Sequence, residues 1–492
     1  MALSNLEEYF RPYRENTIGV GQKFLGPFGE KTILYADWTA SGRLYRPIEK
    51  ILSDQIGPFV ANTHSESNVT GGVMTEAYHQ AHQIIKTHVH ASMQDVILTT
   101  GFGMTGAVTK YQRILGIRGP EQIQSQIQFS KNQRPIVFVT HMEHHSNHIS
   151  WRETLAEVVV IPPGLTGLVE PENLRQLLQT YQDRPLKIGS FAACSNVTGL
   201  ITPYHELARV MHEFGGVCFV DFAASAPYVS IDMHPNDPKE KLDAIFFSPH
   251  KFLGGPGTSG VLIFDSSLYH NTIPDQPGGG TVQWTNPWGG HRYIDDIEIR
   301  EDGGTPGFLP AIKAALSVRL KEKMGVDQIL AREHELAEKM MLGLKAIPKL
   351  HILADDHEDR LGIFSFYFEH LHYNLVVKLL SDLFGIQARG GCSCAGTYGH
   401  YLLQVSQQKS KAITDTIDGG DLSEKPGWIR ISVHPIMKNQ EVDEILRALQ
   451  QISVQGAEWG RKYVYSAQNN EFFPLGQVRH KSDKVEQWFG SF

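Results

Sequence analysis

Between about residue 90 and residue 265 the chain alternates short, uninterrupted apolar runs with longer stretches of helical periodicity. The runs are Val96–Thr100, Ile136–Thr140, Val158–Ile161, Ile188–Ala192, Val217–Asp221, Ile245–Ser248 and Val261–Phe264. Most are apolar at every position rather than at every second one. Strands buried on both faces read this way, so the runs predict a mainly parallel sheet covered by helices, among them Thr105–Leu115 and Pro203–Phe214. After Pro310 the pattern changes. A helix-like stretch runs from Ala311 to about Ile347 with a candidate break at Gly325. It is followed by a strand at Ile363–Phe368, a helix at Asn374–Leu383, strands at Ile386–Ala388 and Trp428–Val433, and a helix at Gln440–Ile452. This reads as a separate α+β domain. Two polar stretches, Arg118–Arg134 and Val405–Pro426, read as surface insertions.

Length and charge narrow the classes. A chain of 492 residues suggests two or three domains. Its formal net charge of −8 gives no general attraction to nucleic acid or to an anionic membrane surface. No apolar run approaches the ~18 residues of a membrane span. The opening MALSNLEEYFRPYREN lacks a basic stretch followed by an apolar one, so no secretory leader is expected. Four cysteines make no disulfide framework, which points to a reduced, cytoplasmic protein. Two of the four, Cys392 and Cys394, share one glycine-rich segment.

Four segments carry candidate chemistry. Val96–Thr100 leads into Gly101-Phe102-Gly103-Met104-Thr105-Gly106 and then a helix. Such a junction suits a phosphate cradle, since glycines admit a ligand close to the backbone and the helix N-terminus favours an anion. A plain tight turn is the other reading. The G-x-G-x-x-G spacing also fits a dinucleotide fingerprint. The next strand, however, ends at Thr140-His141 rather than at an acid, and the Gln-rich insertion breaks the compact unit that fingerprint needs. In His141-Met142-Glu143-His144-His145-Ser146-Asn147-His148, four histidines would share a helix face. A metal site, a polar surface loop and a single histidine over a ligand ring are the alternatives. Val217–Asp221 ends an apolar strand in an acid, as a helix-capping aspartate also would. Finally, Ser248-Pro249-His250-Lys251 puts a lysine directly after a buried strand. Lysine is rarely buried without a reason, and a desolvated amine can form a Schiff base with a carbonyl.

Together these make one constellation: a phosphate cradle upstream, then Asp221, Ser248, His250 and Lys251 in order. Pyridoxal phosphate requires such a set, with a lysine for its aldehyde, an acid for its ring nitrogen and donors for its phosphate. With the segments Met142–Asn147, Ser195-Asn196-Val197-Thr198-Gly199 and Ser248–Lys251, the chain resembles the class V aminotransferase group of fold-type I pyridoxal-phosphate enzymes. The branch of cysteine desulfurases and selenocysteine lyases is the nearest. The resemblance runs from Tyr35-Ala36-Asp37 to about Leu446.

The resemblance implies an α/β fold of the fold-type I pyridoxal-phosphate transferase kind. It has a seven-stranded, mainly parallel sheet in a large domain (residues 46–310). A smaller α+β domain comprises residues 1–45 and 311–455, and a C-terminal extension covers 456–492. It implies pyridoxal 5′-phosphate as cofactor, carried by Lys251, with Asp221 at the ring nitrogen, His144 stacked on the ring and Asn196 at the ring hydroxyl. Gly103, Met104, Thr105, Ser248 and His250 would hold the phosphate. Thr305, in Gly304-Thr305-Pro306, would reach the phosphate of a neighbouring subunit, which implies a homodimer with shared active sites. Arg430 and Arg389 would bind the substrate carboxylate. In the loop Arg389–Gly396, Cys394 stands where desulfurases carry the cysteine that attacks the substrate sulfur.

The implied reaction is cleavage of a C–S or C–Se bond, with alanine released, a persulfide left on Cys394 and a sulfur-acceptor protein as a further partner. An aminotransferase, epimerase or β-lyase on another amino acid is the alternative. A catalytically silent scaffold and a metal-dependent hydrolase are more distant rivals. The chain departs from the desulfurase pattern at Ala224, where a glutamine is usual, and at Cys392 and Ser393, where histidines are. The substrate-side histidine region, His64–Asn68, has no clear match.

Overall fold

The computed structural model describes residues 5–63, 67–127, 129–476 and 483–490, so residues 64–66 of the substrate-side region lie outside the described residues. The large sheet has seven strands: β1 (Asp95–Thr100), β2 (Ile136–Thr140), β3 (Glu157–Ile161), β4 (Lys187–Ala192), β5 (Val217–Asp221), β6 (Ala244–Phe247) and β7 (Gly260–Asp265). Their order is β1-β7-β6-β5-β4-β2-β3. Only β7 runs antiparallel, to both of its neighbours. The fold is therefore the predicted mainly parallel α/β sheet.

The uniform apolar runs have the cause inferred for them. In β1, Ile97 packs into the core on one face while Val96 and Leu98 pack into the core on the other. In β2, Ile136 and Phe138 take the first face, and Val137 and Val139 the second. Every residue of β2 and of β4 is buried.

A second, antiparallel sheet consists of β8 (Leu350–Ile352), β9 (Ile363–Phe368), β10 (Arg389–Gly391) and β11 (Trp428–Ser432), in the order β8-β9-β11-β10. The strand expected at Ile386–Ala388 divides. Ile386–Gln387 pairs in parallel with Leu34–Tyr35, and the chain then enters β10. The long helical stretch is two helices, Phe308–Met324 and Val326–Lys345, separated at Gly325, whose φ of 77° suits a residue without a Cβ. Ile312, Ala314, Ala315 and Val318 of the first helix pack with the large sheet, while Leu320 and Met324 pack with the small-domain core. That helix thus ties the two cores together. The polar stretch 405–426 contains a helix, Gln407–Asp418, with no buried residue. Beyond the last long helix, a hairpin of Tyr463–Ser466 and Glu471–Pro474 lies against helix Tyr373–Phe384. Among the described residues, no helix is long and apolar enough to cross a membrane.

Candidate active site

Strands β4, β5 and β6 end abreast, with Ala192 opposite Asp221 and Asp221 opposite Phe246. Ligands of open parallel sheets collect beyond this edge. Here a cleft of about 210 Å³ lies between the large sheet and the small domain. It is below the ~300–1,000 Å³ of drug-sized sites, and suits one small ring better than a dinucleotide.

One end of the cleft is built to receive an anion. Helix Met104–Ile114 begins directly after Gly103, which holds φ at 90°. A Cβ on Gly103 would come within 2.8 Å of His250 Cε1 and 2.9 Å of Ser248 Oγ. The Met104 N–H donates to Ser248 Oγ at 2.8 Å, and the hydroxyls of Thr105 and Ser146 share a hydrogen bond of 2.6 Å. The glycine, three hydroxyl side chains and a helix N-terminus thus converge on one spot. The dinucleotide reading fails on topology. Strand β1 is an edge strand, and β7, β6, β5 and β4 separate it from β2. The glycines therefore do not open a βαβ unit.

Lys251, Asp221, His144 and Asn196 line the middle of the cleft. Lys251 sits on the short helical turn after β6. Dense packing around it lowers its pKa to about 8, against the opposing pull of Asp221. Asp221 is pushed up to about 6 by burial, offset by the Ala223 N–H and by Lys251. The Ala223 N–H donates to Asp221 Oδ1 at 2.8 Å, so this aspartate closes a turn of its own and caps no helix. His144 caps helix His145–Arg152, its Nδ1 accepting from the Ser146 N–H at 3.1 Å. Burial, then Lys251, lowers its pKa to about 3, so the ring is neutral. His250 is likewise lowered to about 4, first by burial and then by Lys251.

Asn196 donates from Nδ2 to the Ser393 carbonyl at 2.7 Å. Its Oδ1 is buried with no donor among the described residues. Leaving such an atom unpaired is costly, and the hydroxyl of a bound ring would satisfy it. The donor set, the cradle and this orphaned oxygen all fit pyridoxal phosphate.

Arg430 and Arg389 also line the cleft. Arg430 is 3% exposed. Its Nη1 donates to the Asn196 carbonyl at 3.0 Å and its Nη2 to Asp37 Oδ1 at 2.8 Å. Arg389 Nε donates to Asp37 Oδ2 at 3.2 Å.

Two sequence candidates lie outside the cleft. Thr305 is exposed in a turn after Gly304. Cys394 is also exposed, and of Cys392, Ser393 and Cys394 only Ser393 reaches the cleft. Gly103 lies behind the cleft wall, in contact with Ser248 and His250.

The four histidines do not share a helix face, because the helix starts only at His145. His141 donates to the Gly167 carbonyl, His145 accepts from the Gly396 N–H, and His148 pairs with Thr397. Among the described residues, no group of three or more His, Cys, Asp or Glu could hold a metal ion.

Sequence reasoning missed Asp37, Ser146 and Glu143. Glu143 is buried between β2 and β4, accepting from Thr140, Ala192 and Asn147, and burial pushes its pKa up to about 7.

Comparison with known proteins agrees with this geometry. Residues 34–445 match the family model described as aminotransferase class-V. A probable cysteine desulfurase of Halalkalibacterium halodurans is 26% identical over 367 residues, 74% of this chain and 84% of that protein. One of Staphylococcus aureus is 27% identical over 369 residues, again 74% and 84%. Among solved structures, the apo cysteine desulfurase of Thermococcus onnurineus superposes with a TM-score of 0.70 at 21% identity, covering 86% of this chain and 95% of that one. The cysteine desulfurase CsdA of Escherichia coli gives 0.68 at 20% identity, covering 91% and 98%.

Proposed function

Since the chain belongs to the class V aminotransferase family, a family of pyridoxal-phosphate enzymes, we propose that it binds that cofactor in the cleft at Lys251 and cleaves the Cβ–S bond of L-cysteine, or C–Se of selenocysteine, to give alanine. The observation that carries this reading is the convergence on one cleft of a lysine with lowered pKa, a buried acid, an anion cradle and a buried arginine. A cysteine-bearing turn stands at the cleft's edge.

When bound, the cofactor supplies an electron sink that makes the substrate Cα–H acidic and the Cβ–S bond labile. The chain's own residues do the rest. Lys251 would carry the cofactor and, once released, move the proton at the substrate Cα. Asp221 would hold the pyridine nitrogen in its protonated form, and neutral His144 would lie on the ring. The phosphate would be held by Gly103, Met104, Thr105, Ser248 and His250. Arg430, with Arg389 beside it, would bind the substrate carboxylate bidentately. Cys394 would take the sulfur as a persulfide. Cys394 directly follows Ser393, which lines the cleft together with Arg430.

Exposed Thr305 would reach the phosphate in a second subunit, giving a homodimer with shared sites. All four cysteines are free, which suits work in the reducing cytoplasm and sulfur delivery to an acceptor protein.

A second reading has its own support. Of the turn's residues, Ser393 rather than Cys392 or Cys394 lines the cleft, as an aminotransferase, epimerase or β-lyase would tolerate. The purified protein, loaded with pyridoxal phosphate and given L-cysteine and a reductant, separates the two. Alanine and sulfide in equal amounts are expected; a keto acid formed in place of alanine overturns desulfuration, in favour of β-elimination if it is pyruvate with sulfide and of transamination if the sulfur stays on the keto acid.

A further inference from the structure

We propose that Cys392 and Cys394 form a two-thiol relay, in which sulfur captured on Cys394 moves to Cys392 and is presented in a second cavity walled by the C-terminal hairpin. The inference rests on the desulfurase reading above and assigns Cys392 a role in it.

The two cysteines belong to one tight turn. The Ala395 N–H donates to the Cys392 carbonyl at 3.0 Å, and the intervening Ser393 and Cys394 have φ of 51° and 56°. Two consecutive positive φ values make this a turn of the I′ kind, which neither serine nor cysteine favours. Strain of this sort persists where the surroundings impose it, and it collects at functional sites. Three contacts impose it here. Asn196 donates to the Ser393 carbonyl, Trp428 Nε1 donates to Ser393 Oγ at 3.2 Å, and the His145 N–H donates to the Cys394 carbonyl at 2.7 Å.

The turn separates two spaces. On one side is the cleft of Lys251. On the other is a cavity of about 670 Å³, which Cys392 and Cys394 both line. Within it Cys394 is exposed, whereas Cys392 is half-buried against the large-domain core, and Tyr373 lines the same cavity.

The far wall lies beyond the part of the chain that matches the family model, which ends at residue 445. Asn470, at the hairpin's tip, donates to the Tyr373 hydroxyl at 2.6 Å, and Tyr373 donates to the Lys425 carbonyl at 3.1 Å. The tip, helix Tyr373–Phe384 and the segment carrying Lys425 are thus fastened around Cys392. Lys425 and Arg389 also line the cavity, and their charge suits an anionic persulfide.

The transfer needs no outside oxidant. The Cys392 thiolate attacks the outer sulfur of the Cys394 persulfide. One S–S bond forms as another breaks, the electron pair returns to Cys394 as a thiolate, and the outer sulfur keeps its oxidation level. Cys394 is then free to serve the next substrate while Cys392 holds the sulfur in a half-buried position.

The test uses the full-length holoenzyme, given less than one equivalent of L-cysteine without reductant and quenched with an alkylating reagent. Tandem mass spectrometry of the peptide carrying both cysteines then places the extra sulfur. It is expected on Cys392 as well as Cys394 in the unaltered protein, and on Cys394 alone in Cys392→Ser. That variant is expected to form its first equivalent of alanine but to lose roughly tenfold in steady sulfide release. Sulfur confined to Cys394 in the unaltered protein, or unchanged release in Cys392→Ser, overturns the relay and leaves desulfuration standing. Extra sulfur on Cys392 in Cys394→Ser overturns the direction of transfer. Failure of the unaltered protein to form alanine is a different result, and it overturns the desulfurase reading itself.

Discussion

Asp37 occupies the arginine that would bind the substrate carboxylate: its Oδ1 accepts from Arg430 Nη2 at 2.8 Å. A single carboxylate also bridges to Arg389, and Arg430 continues through the Asn196 carbonyl toward the cysteine turn. The side chains of Arg430 and Asp37 are 3% and 15% exposed, so this pair is shielded from water, whereas Arg389 at 45% adds little. Removing the charge of Asp37 would leave a buried guanidinium with one carbonyl partner. Asp37→Asn is expected to lose about 1–3 kcal/mol of stability in dilute buffer. A carboxylate ligand such as L-alanine should raise its melting temperature more than it raises that of the unaltered protein. Equal melting temperatures for the two proteins, read by calorimetry, would contradict the pairing.

Gly103 tests the anion cradle. Its φ of 90° and the 2.8 Å approach of an added Cβ to His250 Cε1 both count against any side chain. Gly103→Ala is expected to weaken pyridoxal-phosphate binding at least tenfold, about 1.4 kcal/mol, by fluorescence titration of the apoprotein. Unchanged affinity would place the phosphate elsewhere.

The lowered pKa of Lys251 sets a pH dependence. Burial disfavours the ammonium form, so the amine is half-neutral near pH 8 instead of near its ordinary 10.5. Only the neutral amine attacks the cofactor aldehyde. The rate of cofactor uptake by the apoprotein should therefore rise as pH increases through about 8 and level off above it. A rate still climbing in proportion to hydroxide up to pH 10, measured by stopped-flow absorbance, would contradict the burial argument.

His145 clasps the cysteine turn from the large-domain side. Its Nε2 accepts from the Gly396 N–H at 2.9 Å, which requires the neutral ring, and burial lowers its pKa. With a lowered pKa the clasp is intact above the ordinary histidine pKa and is lost as pH falls through the depressed value. His145→Ala is expected to speed alkylation of Cys394 several-fold at neutral pH. An unchanged alkylation rate would show that the turn is held without it.

Much of this site was legible in the sequence, and the reasons differ by residue. The strands of the large sheet stood out because burial on both faces leaves few polar positions in them. Lys251, Asp221, Ser248 and His250 stood out because each follows such a strand. Strand β10 did not, since Arg389-Gly390-Gly391 has no preference for extended structure and gains it by pairing with Arg430, Ile429 and Trp428. The helix Gln407–Asp418 carries only Ala412, Ile413 and Ile417 as apolar residues and buries none of them, so its short apolar face gave a weak signal. The histidine spacing misled because His144 is a cap and the helix begins one residue later. Asp37 carries no local signature at all. Its place depends on Leu34–Tyr35 pairing with Ile386–Gln387, a contact between distant parts of the chain that periodicity does not encode.

The most direct single measurement compares Lys251→Ala and Cys394→Ser with the unaltered protein after loading with pyridoxal phosphate. The visible absorbance is recorded before L-cysteine is added, and alanine is quantified afterwards. Lys251→Ala is expected to lose both the lysine-bound absorbance and alanine formation. Cys394→Ser is expected to keep the absorbance and lose the alanine. Absorbance persisting unchanged in Lys251→Ala, or alanine formed at the unaltered rate by Cys394→Ser, would contradict the roles assigned to these two residues.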